Sequence, residues 1–314
     1  MTISRRHTLE ENPSYYFSFR DRNRRYPFTA FFADFKNIDP IISIILEFLL
    51  KSDFKSRFTE GACFLPAPRT GFLLNYRKLI YLSLSSSYDE DGIQTERLSR
   101  PCSDFLKILS SISSEHVSIR YSSVIGFLEE NMAHGTITVS SDTPQPSIIY
   151  RPKETDVELP MYLSSGVITE IAPLILMLMH YSFEVLFMEE PEISLHPQLQ
   201  QVMARVLIKL CNSGLPLFIT THSDVILQQI NNMIKLKRMK RPEQTQLMKR
   251  FAYDRDDLLD EKKVIMYQFN VDNITGKTSI KELICGPYGF EIPSFNEALE
   301  ELLTQTKLFE EREG

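Results

Sequence analysis

The sequence predicts an α/β protein whose core is a mainly parallel sheet. Two short apolar runs, residues 185–188 and 215–219, have the length and continuity of buried strands. Each run is followed by apolar residues at helical spacing, in residues 197–214 and 223–234. Strand, helix, strand and helix in this order form the repeating unit of a parallel sheet that is covered by helices.

Local residues support the predicted boundaries of these helices. Pro197 suits the first position of a helix, where its missing N–H costs nothing. Gly214 is a fitting end for that helix, and Ser223 is a typical N-cap for the next one. Residues 166–181 are apolar on nearly all sides, which is typical of a helix buried between layers.

We expect four regions along the 314 residues. Residues 1–60 form a partial N-terminal lobe or arm with a helix at 41–50, and residues 61–133 form a helical insertion that begins with a strand and a turn. Residues 134–290 form the α/β lobe, and residues 291–314 form a terminal amphipathic helix. Two pairs of strands are expected within the lobe, at 136–139 with 147–150 and at 263–269 with 278–283.

Composition narrows the functional classes. The formal net charge of −6 excludes a polycation that coats nucleic acid, so any DNA contact needs a local basic surface. The four cysteines are far apart, which argues against a zinc site or disulfides and suits a reducing cytoplasm. We find neither a secretory signal nor an apolar run long enough to span a membrane, so we expect a cytoplasmic protein without a membrane partner.

Polar side chains follow both predicted parallel strands. Glu189, Glu190 and Glu192 come after the first strand, and His222 comes after the second. Ligands of such sheets bind at the carboxyl ends of the strands. A carboxylate there can hold Mg²⁺, a second can activate water, and a histidine can orient a phosphoryl group. Each of these residues alone is more simply interpreted as a solvated side chain, but their combination on adjacent predicted strands favours a chemical role.

A small-residue segment lies upstream, directly before a long helix. Ser164, Ser165 and Gly166 place backbone amides and hydroxyls at the start of that helix, where an anionic phosphate is favoured. Helix starts with small residues are common, so this segment indicates a phosphate site only in combination with the polar residues at the strand ends.

The order of these segments resembles the ABC-type ATPases. The segments are LSSG at 163–166, VLFMEEPE at 185–192, SLHP at 194–197 and FITTHS at 218–223. In this order they are most similar to the SMC-like and overcoming-lysogenisation-defect branch of AAA-family ATPases, which act in prokaryotic DNA repair and defence. The resemblance covers residues 134–290 and implies a P-loop NTPase-like lobe that binds ATP and Mg²⁺.

The resemblance assigns roles to individual residues. Ser164, Ser165 and Gly166 match the signature that contacts a γ-phosphate held by the opposite subunit. Glu189 falls at the Walker B position, where it would hold Mg²⁺ directly or through water, and Glu190 falls at the catalytic base.

Two histidines complete the resemblance. His196 lies in the segment that matches the D-loop, and His222 matches the switch histidine that senses the γ-phosphate.

One part of the family pattern has no counterpart here. A phosphate-binding loop ends in Gly-Lys-Ser/Thr near the N-terminus, whereas the first glycine of this chain is Gly61. The sequence Gly276-Lys277-Thr278 lacks the preceding glycine and lies in a predicted hairpin. Three readings stay open: part of a longer or split ATPase, a degenerate subunit that lends its signature to an intact partner, or a binding module without nucleotide.

These readings set the expected partners. ATP hydrolysis would need a homo- or hetero-oligomer with an ATPase chain that carries the Walker A loop, so that ATP and Mg²⁺ bind in a complete or dimeric site. A nuclease partner and DNA are further expectations from the resemblance. A basic stretch includes Lys237, Arg238, Lys240 and Arg241, which would contact DNA phosphates or would simply be solvated.

Overall fold

The computed structural model divides the chain into two units, Met1–Thr59 and Glu60–Gly314. The predicted helix at 41–50 lies outside the described residues. The ranges that the structure describes are 2–6, 14–21, 24–31, 61–85, 98–112, 117–140, 147–271 and 276–313.

The first unit contains a three-stranded antiparallel sheet. Its strands are β1 (Thr2–Arg6), β2 (Ser14–Asp21) and β3 (Arg24–Phe31), paired in the order β1-β2-β3. Asp21 pairs with Arg24, so β2 and β3 form a hairpin with a two-residue connection.

The second unit combines strands and helices, and the predicted α/β class is confirmed. Its strands are β4 (Ala62–Leu65), β5 (Gly135–Ser140), β6 (Ser147–Pro152), β7 (Leu159–Pro160), β8 (Val185–Glu189), β9 (Leu217–Thr220), β10 (Met266–Val271) and β11 (Thr278–Leu283). Its helices are α1 (Arg69–Ser85), α2 (Arg100–Ser111), α3 (Ser122–Leu128), α4 (Gly166–His180), α5 (Pro197–Asn212), α6 (Asp224–Arg238), α7 (Arg241–Phe251) and α8 (Pro293–Glu313).

The central sheet has three parallel strands in the order β4-β8-β9. The middle strand, β8, pairs on both sides, and Val185, Leu186 and Met188 are buried, as its continuous apolar run predicts. Cys63 of β4 lies opposite Leu186, and Leu186 lies opposite Leu217. The strand expected at the start of residues 61–133 therefore belongs to the same sheet as the α/β lobe, beside β8.

The second expected strand is less buried than its sequence predicts. Within the described residues β9 is an edge strand of the sheet, and its side chains alternate between half-buried and exposed. Phe218 is 51% exposed and stacks on Phe187 of β8, with 4.7 Å between the ring centroids. The prediction of a fully buried strand at 215–219 was wrong because a short apolar run does not distinguish an edge strand from a central one.

Helix α4 supplies much of the core, as its apolar sequence predicts. Residues 168–178 of this helix are all buried, among them Thr169 and Glu170. It packs against α1, α3 and the turn of π-helix at Glu129–Ala133. No helix in the described ranges has the length and apolar character that a bilayer crossing requires.

The described part of the second unit also has two antiparallel sheets, and both expected pairs of strands are confirmed. Strands β5, β6 and β7 form one sheet, in which a side chain at Gly135 would come within 2.3 Å of the carbonyl oxygen of Arg151. Strands β10 and β11 form the other. Gly276 and Lys277 directly precede β11 in this hairpin, where no helix follows them. They are therefore not a phosphate-binding loop.

A buried ionic cluster attaches α5 to the turn that follows α7. Asp257 is fully buried and accepts two hydrogen bonds from Arg205, at 3.0 and 2.8 Å. Lys209 lies 3.3 Å from Asp257 and 2.6 Å from Asp254. Both cations also lie over the ring of Phe127, at 4.7 and 4.8 Å. Since each charge has a partner, the cost of burying the cluster is largely offset.

Replacing Asp257 by alanine should destabilise the protein by about 3–5 kcal/mol, because the half-buried Arg205 loses its counter-ion and the buried Lys209 keeps only Asp254. Chemical denaturation measures this change. The matched control is Glu130→Ala, which removes the exposed pair with Lys153 and should cost less than about 1 kcal/mol. Equal effects of the two substitutions would contradict the assigned burial.

Candidate functional site at the carboxyl end of the sheet

The parallel pairing of β8 and β9 brings the strand-end residues to one edge of the sheet. Glu189 lies directly opposite Thr220, and the amide of Glu190 donates to the carbonyl oxygen of Thr220 at 2.8 Å. Glu190 and His222 thus follow neighbouring strand ends, at the edge where the sequence analysis expected them.

The two acids at the end of β8 have different environments. The carboxylate of Glu189 is half-buried and accepts a hydrogen bond from the amide of Ala67 at 3.1 Å. Glu190 adopts a left-handed backbone conformation with φ of 41°, which costs a non-glycine residue about 1 kcal/mol. Such strain often marks functional positions.

Glu192 has a structural task that the sequence did not reveal. Its carboxylate accepts from the amide of His222 at 2.6 Å and from the hydroxyl of Thr221 at 2.9 Å. Thr221 in turn accepts from the amide of Ser223 at 3.0 Å, and Ser223 caps α6 through the amide of Ile226. The loop that carries His222 is therefore attached to the β8 end, and the His222 side chain is exposed.

The signature segment lies at the N-terminus of α4. Ser165 is the N-cap and accepts from the amide of Ile168. Ser165 and Gly166 are exposed, and Ser164 is half-buried. Tyr162 is 74% exposed. This helix start therefore presents its serine and glycine to the surface.

His196 occupies the N-cap position of α5 and is exposed, and its side chain makes no capping hydrogen bond. The preceding turn is anchored by Leu195, which is buried and whose carbonyl oxygen accepts from the Gln200 side chain at 2.9 Å. The structure places His196 on the same connection as Glu190, between β8 and α5.

Arg69 is a central residue of the site that the sequence analysis missed. Its guanidinium is fully buried and donates to the carbonyl oxygens of Glu189 at 2.8 Å and Glu190 at 3.1 Å. It also forms an ion pair with Glu170 of α4, which is 1% exposed. A signal was available, because an acid within an otherwise apolar helix needs a buried partner.

Burial raises the pKa of the Glu170 carboxyl above its usual range, against the opposing effects of the Arg69 charge and the Thr70 hydrogen bond of 2.7 Å. Arg69 keeps its proton because a guanidinium is a very weak acid. Its charge also interacts with the carboxylates of Glu190 and Glu192. The strand ends are therefore an acidic edge built around one buried cation.

This acidic edge fits a magnesium ion that is held mainly by substrate phosphates and water. Among the described residues, no three histidine, cysteine, aspartate or glutamate side chains are grouped as a complete metal site. Mg²⁺ with a nucleotide usually needs only one or two protein carboxylates. The carboxylate of Glu189, with one oxygen bonded to an amide, is suited to that task.

The basic stretch is divided between the end of α6 and α7. Lys237, Lys240 and Arg241 are exposed. Arg238 has structural contacts instead, since it donates to Glu261 at 2.7 Å and to the carbonyl oxygen of Gly286 at 2.9 Å. Arg238 is exposed as well, but these contacts occupy its guanidinium.

Comparison with known proteins agrees with these features. The family described as "AAA ATPase domain" matches residues 73–227, which include the signature segment, the strand-end acids and His222. Residues 73–227 are therefore similar to an AAA ATPase domain. No curated protein matches the sequence.

Three of the solved structures with detected similarity are from SMC proteins. One, from work on ATP-driven dimerization and DNA-stimulated activation of SMC ATPases, has 12% identity and a TM-score of 0.36 and covers 58% of this chain and 90% of its own. The SMC head of Thermotoga maritima has 11% identity and a TM-score of 0.35, with 88% and 75% covered. An SMC head bound to the C-terminal winged-helix domain of ScpA has 11% identity and a TM-score of 0.32, with 69% and 68% covered.

Substituting Glu192 by alanine should loosen the His222 loop without unfolding the protein. The His222 amide loses a charged acceptor, so its hydrogen exchange should accelerate by about 10-fold or more. Amide exchange measured by NMR tests this. Glu184→Ala, at the opposite end of β8, is the matched control and should leave the His222 amide unchanged. An unchanged rate in Glu192→Ala would refute the anchoring role.

Proposed function

We propose that this chain contributes the acidic strand ends, the signature segment and the switch histidine to an ATP-hydrolysing site. The phosphate-binding loop would come from another ATPase chain, or from a further segment of the protein, in a head-to-head assembly. The observation that supports this best is the parallel register of β8 and β9, with Glu189 opposite Thr220. It puts Glu190 and His222 on adjacent strand ends.

Each side chain has a task in the proposed reaction. Glu190 accepts a proton from a water molecule as the water oxygen attacks the γ-phosphorus of ATP. The bond from that phosphorus to the bridging oxygen breaks, and ADP and phosphate leave. His222 donates a hydrogen bond to the γ-phosphate and orients it. Mg²⁺ would neutralise phosphate charge in this site, held by Glu189 directly or through water.

The signature segment would serve the nucleotide of the opposite subunit. The hydroxyls of Ser164 and Ser165 and the amides at the start of α4 can donate to phosphate oxygens, and the helix N-terminus favours their negative charge. Exposure of Ser165 and Gly166 at the surface supports a contact made across an interface. In this arrangement neither chain has a complete site without the other.

The resemblance to DNA-repair and defence ATPases supports a place for this chain in such a complex. ATP binding would then control a partner that acts on nucleic acid, and cleavage would be the task of a nuclease partner. The alternative to this proposal is a catalytically degenerate scaffold subunit, because the sequence contains no glycine-rich phosphate-binding loop that ends in Gly-Lys-Ser/Thr.

Glu190→Gln should separate the catalytic role from the scaffold role. In a complex reconstituted with an ATPase chain that carries the phosphate-binding loop, kcat should fall by about 10²–10⁴, because the general base is lost, while ATP binding is retained. Phosphate release and nucleotide binding are the measurements. Glu184→Gln, directly before β8 and so at the opposite end of that strand, should have wild-type kcat. Equal rates for Glu190→Gln and wild type would favour the scaffold.

DNA binding through the basic stretch is a second candidate, supported by the exposure of Lys237, Lys240 and Arg241. Reversing these three charges to glutamate should weaken binding to a short duplex and reduce the slope of log K against log salt by about 3. Arg238 stays unchanged because its contacts are structural. Fluorescence anisotropy at several salt concentrations measures both effects.

The control for this experiment reverses three exposed lysines elsewhere, Lys78, Lys281 and Lys307, and so changes the net charge equally. DNA binding by the local basic surface is supported if only the variant at Lys237, Lys240 and Arg241 has a lower affinity for DNA and a smaller salt dependence. Identical losses in both variants would show that net charge alone governs the interaction.

A further inference from the structure

The buried pair of Arg69 and Glu170 links two parts of the proposed site. Arg69 is the first residue of α1, and its guanidinium donates to the carbonyl oxygens of Pro66, Glu189 and Glu190. Its Nε donates to the carbonyl oxygen of Glu170 at 3.3 Å, beside the ion pair with the same residue. One side chain therefore joins the end of β8 to helix α4.

Glu170 lies one turn from the signature segment. Ser165 caps α4, and its carbonyl oxygen accepts from the amide of Thr169 at 3.1 Å. The Thr169 hydroxyl donates to the carbonyl oxygen of Gly166 at 3.0 Å. These hydrogen bonds connect the exposed helix start to the turn that carries Glu170.

The backbone that Arg69 holds is the strained one. Glu190 has a φ of 41°, and its carbonyl oxygen accepts from Arg69 and from the amide of Ile193. Stability alone does not require an ion pair here, because apolar residues of similar volume often replace buried pairs without loss. A guanidinium, however, binds two neighbouring carbonyl oxygens at once, which an apolar side chain cannot do.

We propose that Arg69 is a positioning residue, which with Glu170 couples the signature end of α4 to the backbone of Glu189 and Glu190. A phosphate bound at the signature of one subunit would thereby adjust the orientation of that subunit's own catalytic acid. The role of the coupling rests on the proposed ATPase function, but the coupling itself is a property of the chain alone.

A double-mutant comparison tests this without nucleotide. Ser165→Ala removes the cap of α4 and loosens the signature end. In the wild-type background, hydrogen exchange at the amides of Glu190 and Ile193 should accelerate about fivefold. In the background Arg69→Met with Glu170→Leu, Ser165→Ala should leave these two amides unchanged. The same acceleration in both backgrounds would overturn the proposal.

The control perturbation is Asp260→Ala, which removes a cap far from α4 in sequence and should leave both amides unchanged in either background. Circular dichroism and thermal unfolding establish that the double variant folds. Arg69→Lys provides a second test, since an ammonium group keeps the charge pair but does not span both carbonyl oxygens in one plane. In the Arg69→Lys background, Ser165→Ala should accelerate exchange at the amides of Glu190 and Ile193 less than it does in the wild-type background. An equal acceleration in the two backgrounds would also overturn the proposal.

The outcome is separable from that of the proposed function. If the exchange experiment shows coupling but Glu190→Gln has wild-type turnover, the coupling between α4 and the β8 end is supported and the proposed ATPase role is refuted. In an active reconstituted complex, Arg69→Lys should lower kcat while KM for ATP stays within about twofold, because the residue orients the base rather than binding substrate. A change in KM alone would contradict a positioning role.

Discussion

The geometry of the candidate site depends on the fully buried guanidinium of Arg69. It neutralises Glu170 inside a helix that is otherwise apolar, and it binds the last carbonyl oxygens of the central strand. A buried charge is costly unless it is paired and hydrogen-bonded, so these partners constrain one another's positions. The left-handed conformation of Glu190 persists within this set of bonds.

A second constraint is the attachment of the His222 loop to the β8 end. Glu192 receives hydrogen bonds from the residues after β9, so the two strand ends are joined by side chains as well as by sheet pairing. The result is an edge that presents Glu190 and His222 from a rigid base, with an exposed imidazole. Support of this kind beneath exposed polar groups is what the proposed ATPase role of these two residues needs.

Much of this fold could be predicted from local patterns. The apolar run of β8, the cap at Ser223 and the helix that begins at Pro197 all agree with the structure. They were predictable because each depends on residues within one or two turns. The full burial expected for β9 was wrong, because whether a strand lies at an edge depends on its neighbours in the sheet. The same limit applies to Arg238, whose acceptors are distant in sequence.

The sequence by itself determined the order of strands, helices and polar segments, and thereby the class of fold and the candidate acids. Only the tertiary structure decided that β4 joins the central sheet, that Arg69 pairs with Glu170 and that Glu192 serves as an anchor. The physical reason is separation along the chain. Arg69 lies 101 residues from Glu170 and 120 from Glu189. Contacts over such distances leave no periodic trace in the sequence, because they depend on how whole elements pack.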